Sequence, residues 1–589
     1  MDMLPVEILE KIFKNLRYSD LKQASAVCRY WYEIYQRPAF LSKIVVHFKK
    51  DLGPETIELF LRSECSYQNF RFTSIPFFDV TKSKRSLCRR DVICEDESFI
   101  KGVRSLLAKF CHTIQMISFC KCHLERQRFF ELLHSISEVK VLDIEECIFA
   151  GEDTDCTLQL PKLKKFNFKY PEDEIQRFES GHIYHNLANS NCSLIKLKVQ
   201  LFINEMFGDT DSDLWEQLKA IAKMVHQHKQ TIKSFKVDSF NEPALKKLLF
   251  KDDELQLEKL VLGEFKIRKD EQIFFDFLAK QTKIKKLDLT IESSLDPSND
   301  IYLKAICENL KHLEQFYYDM SRNSDIGLEH LQKLSKLKNL VLTKKRNTTA
   351  LTPQCFDHIY MPNLKSLGIY FRELPLPAVQ QIPISFPNLK ALNLSECEKA
   401  VTDCTVPILF QFLPSLESLD LSKCKQLTER AFFGPARINQ LRKLKDLVLE
   451  KCDGVTDYSL ETFDNPELRS ISVAMCHRIT NVGWGLLCRR CPNLTWLNAS
   501  HCRNFDDESA RIVATGLREL EILNLFKCSS LTNEAVFSIV ENCQYLEDLC
   551  LTKCRGIKLK KVEYFDDKMY RVNKNCLKLK NAKTMTKSK

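Results

Sequence analysis

The 589-residue chain is 44% hydrophobic and 28% charged, a balance that fits a folded soluble protein and excludes a disordered one. No run of 18 or more apolar residues is present, which excludes a membrane-spanning helix. The net charge is +10, but residues 557–589 hold 11 Lys and Arg against 3 Asp and Glu, so only +2 remains for the other 556 residues; a general nucleic-acid binder would instead spread basic charge over a folded face.

The chain starts M-D-M-L-P-V-E, with no basic region before an apolar run, so no secretory leader is expected. Residues 4–34 read as three short helices. Pro5 suits a first helical turn, and Ile8, Leu9, Ile12, Phe13 and Leu16 follow at helical spacing. Ser19-Asp20 restarts a helix bearing Leu21, Ala24 and Val27, and a third begins near Cys28 with Trp31 and Ile34. Three helices in about 40 residues make a marginal core, so the unit would gain from a partner. The order and spacing of Leu4-Pro5, Glu7, Leu9, Ile12, Leu16, Asp20-Leu21, Val27-Cys28 and Trp31 closely resemble an F-box. That resemblance implies docking on a Skp-type adaptor, which links F-box proteins to a cullin scaffold. It gives Leu4, Pro5, Glu7, Ile8, Leu9, Ile12, Leu16 and Leu21 as the adaptor-binding residues. From the residues alone, the same stretch also reads as a helical cap closing the first core behind it.

Leu41–Phe48 and Tyr67–Ile75 fit a strand pattern weakly. Between Pro76 and Thr113 the spacing breaks, with K-S-K-R-S-L-C-R-R as an exposed loop and a helix around Ile100–Phe110. From Ile114 onward one phrase recurs, L-x-x-L-x-L-x-x-C, in steps of 24 to 38 residues. Its clearest copies start at Leu494, Leu520 and Leu546, each 26 residues after the last. Positions 4 and 6 of the phrase share one face of a strand, and positions 3, 5 and 7 the other. After the Cys come Val455-Thr456-Asp457, Ile479-Thr480-Asn481 and Leu531-Thr532-Asn533, in which the polar pair accepts bonds from free amides at a helix start. Each unit is strand, turn, helix, turn, and one unit alone cannot bury its apolar face. This is the signature of a leucine-rich repeat, and the Cys and Thr-Asp/Asn pattern resembles the cysteine-containing class, which commonly follows an F-box. The expected fold is α/β: a leucine-rich-repeat solenoid (horseshoe) preceded by a small all-α F-box. The expected divisions are 1–40 for the F-box, 41–113 for irregular first repeats and an insertion, 114–556 for the solenoid, and 557–589 for a cap and basic tail. The final Lys-rich segment is expected to be solvated and mobile.

Twenty-five Cys is a high count, but Cys397, Cys424, Cys452, Cys476, Cys502, Cys528 and Cys554 occupy one repeat position. They read as reduced, buried, small apolar residues of a cytoplasmic or nuclear protein. Cys120-Lys-Cys122-His123 and Cys488-Arg-Arg-Cys491 are metal-like spacings whose Cys already have repeat roles, so no metal is expected. No base stands beside a candidate nucleophile, and 14 Gly in 589 residues leave little room for phosphate-binding loops. The chain reads as non-enzymatic, without cofactor, nucleic acid or membrane partners. On the strand face away from the leucines, Lys165, Lys196 and Lys198, followed by Lys236, Lys259 and Lys286, form a basic stripe, while Trp496, Asn498, Ser500, Ile522, Asn524 and Phe526 form an apolar, amide-rich patch with Tyr317 and Tyr370 further back. Together they suggest a target-binding site at Lys165, Lys196, Lys198, Tyr370, Trp496 and Phe526. The function that follows from the F-box resemblance is substrate recognition in a Skp–cullin–F-box ubiquitin ligase; the alternative is a leucine-rich-repeat scaffold or inhibitor outside any ligase.

Overall fold

The computed structural model describes residues 6–15, 24–25, 27–41, 44–49, 54–63, 65–75, 97–150, 159–169, 184, 187, 192–200, 212–241, 255–267, 272–293, 299–344, 351–433, 438–558, 564–565, 568–573 and 576–580. The chain divides into two compact units, Met1–Ile284 and Lys285–Lys589.

The first unit opens with helices Val6–Asn15, Arg29–Tyr35 and Pro38–Leu41. Leu9, Phe13, Ala24, Ile34 and Phe40 form their common core, with Val6, Trp31 and Tyr35 packed against it. Phe13 meets Trp31 and Phe40 edge-on at 5.4 and 5.8 Å between ring centres, the geometry aromatic quadrupoles prefer. An Arg37–Glu10 ion pair at 2.6 Å ties the first helix to the turn between the second and third.

A parallel sheet follows, with strands Val45–Lys49, Asn69–Thr73, Met116–Cys120, Val141–Glu145, Lys165–Lys169, Lys196–Val199, Ser234–Asn241 and Lys259–Ile267 in chain order. The ladder begins at Val45, and residues 41–113 contribute two strands, with helices Pro54–Arg62 and Glu97–Phe110. Val45 pairs with Asn69, so the first repeat starts two residues later than its Leu41 suggests. The loop at 82–90 lies outside the described residues.

The second unit repeats the pattern with eleven parallel strands among the described residues, from Lys286–Ser293 to Asp548–Cys550. Side chains at positions 4 and 6, such as Leu497 and Leu523, are buried beneath the helices, whose inner faces (Ala535, Val536, Ile539 and Val540 in the last) are also buried. From Leu389 onward the strands shorten to three residues. An Asn or Asp at position 5 then takes the position-7 amide: Asn393 from Ser395 at 2.9 Å, Asp420 from Ser422 at 2.9 Å, Asn498 from Ser500 and Asn524 from Phe526 at 3.1 Å each. Position 8 is left-handed at Ser74, Lys121, Glu146, Glu396, Lys423, Lys451, Met475, His501, Lys527 and Lys553, with φ between 54° and 68° and no glycine among them. Such a conformation costs roughly 1–2 kcal/mol for a residue with a Cβ.

Two hydrogen-bond ladders hold the repeats together. In the last five repeats the position-9 thiol donates to the position-6 carbonyl of the preceding repeat: Cys452 to Leu421 at 3.2 Å, Cys476 to Leu449 at 3.0 Å, Cys502 to Val473 at 3.3 Å, Cys528 to Ala499 at 3.2 Å and Cys554 to Leu525 at 3.0 Å. Burial pushes the thiols up, to about 12 at Cys452 and Cys502, so they stay protonated donors. On the other side, a carboxylate at a helix start bridges forward. Asp457 accepts the Thr480 amide at 2.7 Å and hydroxyl at 2.6 Å, Asp507 does the same for Thr532 at 2.8 and 2.6 Å, and Asp403 for Thr428 at 2.8 and 2.6 Å. The Thr of the expected capping pair does cap its own helix, as Thr480 does for Val482; the residue after it serves the next repeat instead, Asp457 accepting from Thr480 and Asn481 from the Ser509 hydroxyl.

The final strand, Asp548–Cys550, pairs antiparallel with Cys576–Lys580, which pairs in turn with Lys568–Asn573. Part of the Lys-rich tail thus closes the open sheet edge, where solvation and mobility were expected.

Gly483 tests the forward bridge. A Cβ there would lie 2.2 Å from Asp457 Oδ1, so Gly483→Ala must displace the carboxylate. Asp457→Ala and Gly483→Ala should each destabilise by about 1.5–3 kcal/mol in urea unfolding, the value of bonds to a charged group, and the double variant by clearly less than the sum. Additive losses would show that Gly483 acts elsewhere. Cys502→Ser, which keeps a donor, should cost less than Cys502→Val, which leaves the Val473 carbonyl only the Cys476 amide at 3.1 Å; equal losses would make the thiol bond irrelevant.

Candidate adaptor and target surfaces

The first helix has two apolar faces. Leu9 and Phe13 are fully buried in the core, whereas Ile8 and Ile12, one turn apart, are 41% and 40% exposed. Val27, Tyr30 and Tyr32 add exposed apolar area on the following helix and the approach to it. Of the residues given as adaptor-binding, Glu7, Ile8 and Ile12 face solvent. Leu9 does not: it anchors the helix from within, because helical spacing places it beside Phe13. Leu4, Pro5, Leu16 and Leu21 lie outside the described residues.

On the open sheet face of the first unit, the register aligns Lys165 with Lys196 and Lys198 with Lys236. Lys165 and Lys196 are exposed and Lys198 half-buried. The stripe is flanked by acid that the sequence reading overlooked. Asp143 aligns with Asn167, and Glu145 with Lys169. Glu145 takes a bond from Asn167 at 3.2 Å and pairs with Arg71 at 3.5 Å. Burial and then Glu145 push the Asp143 carboxyl up, while Lys196, Lys198 and Arg71 pull it down. The strand register, which brings Arg71 and Glu145, 74 residues apart, within ion-pair distance, is what a linear reading could not supply.

In the second unit Lys286 lies over the Tyr317 ring, 4.8 Å from its centre. Tyr370 leans across Gly368, where a Cβ would sit 3.2 Å from its ring, and burial followed by Asp420 pushes its hydroxyl up. Four strands then separate Tyr370 from Trp496. Their surface is polar and acidic: Asn393 donates to Asp420 at 2.7 Å, and Ser472 and Asn498 donate to Glu450 at 2.7 and 3.2 Å. Asn498 and Ser500 are buried, so they shape the turn and do not form the accessible amide patch expected. The accessible patch consists of half-buried Trp496, exposed Ile522 and half-buried Phe526. Phe526 sits between two position-8 side chains, the His501 ring at 5.2 Å and Lys553 Nζ at 5.6 Å from its centre.

Among the described residues no cluster of three or more His, Cys, Asp or Glu could hold a metal. Cys491 donates to the Phe463 carbonyl at 2.9 Å, and burial pushes both Cys488 and Cys491 up to about 12, far from thiolate chemistry.

A family model described as F-box-like matches residues 1–46. The protein combines an F-box-like domain with leucine-rich repeats. Solved structures with similar chains include the yeast Rad7 and Elc1 complex, at 18% identity over 54% of this chain and 85% of that one, with a TM-score of 0.34. A second is the TLR13–ssRNA13 complex, at 14% identity over 85% of this chain and 64% of that one, with a TM-score of 0.41.

His501 reports on the rim around Phe526. Burial, then Lys527, His477, Lys451 and Lys553, hold its imidazole below 6.5. Its ring resonances should therefore titrate below 6.5 in an NMR series, and Lys527→Gln should move the midpoint upward. Titration at or above 6.5 would mean that the lysines do not crowd the ring.

Proposed function

We propose that this protein is the substrate receptor of a Skp–cullin–F-box ubiquitin ligase. The observation that carries the reading is the outer face of the first helix, with Ile8 and Ile12 exposed above a filled core inside the region matched as F-box-like. A helix that only capped the repeats would turn its large apolar residues inward. Exposed Ile at i and i+4 suits insertion into an adaptor groove. The ligase chemistry belongs to the partners. The repeats contribute proximity, holding a target so that its lysines meet the ubiquitin-charged enzyme. The target would be held on the open sheet face of the second unit, with Trp496, Ile522 and Phe526 as apolar anchor and Tyr370 as a further candidate, and Lys165, Lys196 and Lys198 are candidates on the first unit's own sheet face; aromatic anchors of this kind dominate binding energy at protein interfaces. The cytoplasm or nucleus is the compartment in which such a ligase works.

Ile8→Glu with Ile12→Glu should abolish co-purification with a Skp-type adaptor while leaving circular dichroism and thermal unfolding unchanged, because neither side chain fills the core. An intact adaptor complex would exclude this face. Trp496→Ala with Phe526→Ala should remove target capture at any salt concentration without loss of the adaptor. If target capture survives, the anchor lies elsewhere.

A further inference from the structure

The position-8 residues of the last five repeats form one row: Lys451, Met475, His501, Lys527 and Lys553. Backbone bonds keep them adjacent, since each position-8 amide donates to the position-7 carbonyl of the next repeat: Lys451 to Ala474 at 2.8 Å, Met475 to Ser500 at 2.9 Å, His501 to Phe526 at 2.8 Å and Lys527 to Thr552 at 2.9 Å. Neighbouring members are therefore about one strand spacing apart, ~4.8 Å.

Their charges are treated differently from those at the same position earlier in the chain. Lys423 is neutralised by Glu396, and Lys121 by Glu146. Lys451, Lys527 and Lys553 are exposed, and among the described residues no carboxylate lies within ion-pair distance of any of them. Crowding like charges on a rim opposes folding, so the row does not serve the repeats themselves. It borders the Trp496–Ile522–Phe526 patch, and Lys553 reaches over the Phe526 ring.

We propose that the rim formed by Lys527 and Lys553 beside His501, with Phe526 as its floor, is a subsite for a phosphorylated side chain on a partner protein, with an apolar neighbour of that side chain seated on the Trp496–Phe526 patch. This deepens the substrate-receptor reading and rests on it. Spacing favours phosphate over a run of acidic residues. Side chains on one side of an extended segment recur every ~6.7 Å, which does not match Lys527 and Lys553 on strands ~4.8 Å apart, whereas one dianion between their two ammonium groups satisfies both. Lysine binds phosphate as a point charge, and the row holds no arginine fork for planar carboxylates. The rim is short, one residue per repeat, and lacks the successive aromatic platforms that single-stranded nucleic acid stacks on.

The test uses the full chain co-purified with its adaptor and immobilised. Three degenerate peptide pools, fixed at phosphoserine, serine or glutamate, are passed over it. The phosphoserine pool should be retained about tenfold over serine, the effect of one well-made bond to a charged group, with apolar residues enriched beside the phosphate. Lys527→Ala with Lys553→Ala should reduce retention to the serine level, while Arg442→Ala with Lys443→Ala, exposed on a turn outside the strand phrase, should leave it unchanged. Both lysines are exposed, so the variants should fold; unaltered thermal unfolding checks this. Equal retention of serine and phosphoserine, equal retention of glutamate and phosphoserine, or an unaffected double variant would overturn the proposal. So would a single-stranded oligonucleotide that binds with the same lysine dependence and displaces the peptides. Absence of the adaptor from the purified complex would sink the receptor reading without altering the peptide result, so the two failures are distinguishable.

Discussion

A three-residue strand offers little ladder of its own, and the rest of the second unit depends on how that shortage is met. Past position 5 the chain leaves regular β pairing, and its carbonyls and amides need partners or incur a desolvation cost of about 1–3 kcal/mol each. The position-6 carbonyl receives the next repeat's thiol, and the position-8 amide finds the next repeat's position-7 carbonyl. The position-6 carbonyl also accepts its own repeat's position-9 amide, as Ala499 does from Cys502 at 3.3 Å, but the position-8 amide bonds to the next repeat, so a repeat is fully satisfied only in a stack. These bonds also hold position 8 left-handed without glycine, the cost of each strained residue being offset by the bonds around it. Because position 8 need not be glycine, it can carry a working side chain.

The F-box-like unit solves a related problem with fewer residues. Its core of Leu9, Phe13, Ala24, Ile34 and Phe40 is small, each fully buried large side chain contributing roughly 1.5–3 kcal/mol. The first helix cannot bury both of its apolar faces in so small a unit, and the Ile8 and Ile12 face remains for a partner. A small core and a sticky outer face follow from the same sequence, and a single helix serves both folding and assembly.

Much of this was legible beforehand, and what was not shares a physical reason. The 26-residue step, the buried leucines and the repeat Cys are local patterns, and burial follows from them directly. The F-box spacing was likewise local. Leu9 was read as a binding residue because an apolar stripe does not show which of its residues turn inward; the packing of Phe13 against Trp31 decides that. Asp457 looked like a helix cap because its partner, Thr480, is 23 residues away. Asn498 looked accessible, yet its carbonyl oxygen is taken by the Ser500 amide and its amide by Glu450. The tail read as solvated because its lysines alternate with apolar residues only from Cys576 to Lys580, too short a run to announce a strand without the open edge it joins. In each case the missing information was the identity of a neighbour brought close by stacking.

The same logic separates structural charge from charge available to a ligand. Glu417 is held to about 2 by Lys390 and Lys445 together, and such three-way pairs belong to the stack. Asp143 and Glu145 likewise answer Arg71 and Asn167, so the lysines beside them in the first unit already have part of their field neutralised. Charge density read along the sequence favoured the first-unit stripe as the place for an anion. Charge left over after intramolecular pairing favours the rim of the last repeats, where exposed Lys527 and Lys553 stand beside Phe526 and no described carboxylate lies within ion-pair distance of either. An interface gains most from groups that the free protein leaves unsatisfied, because binding then breaks no existing pair. By that criterion the residues with least to do for the fold have most to offer a partner, and they stand on the turn that makes the fold possible.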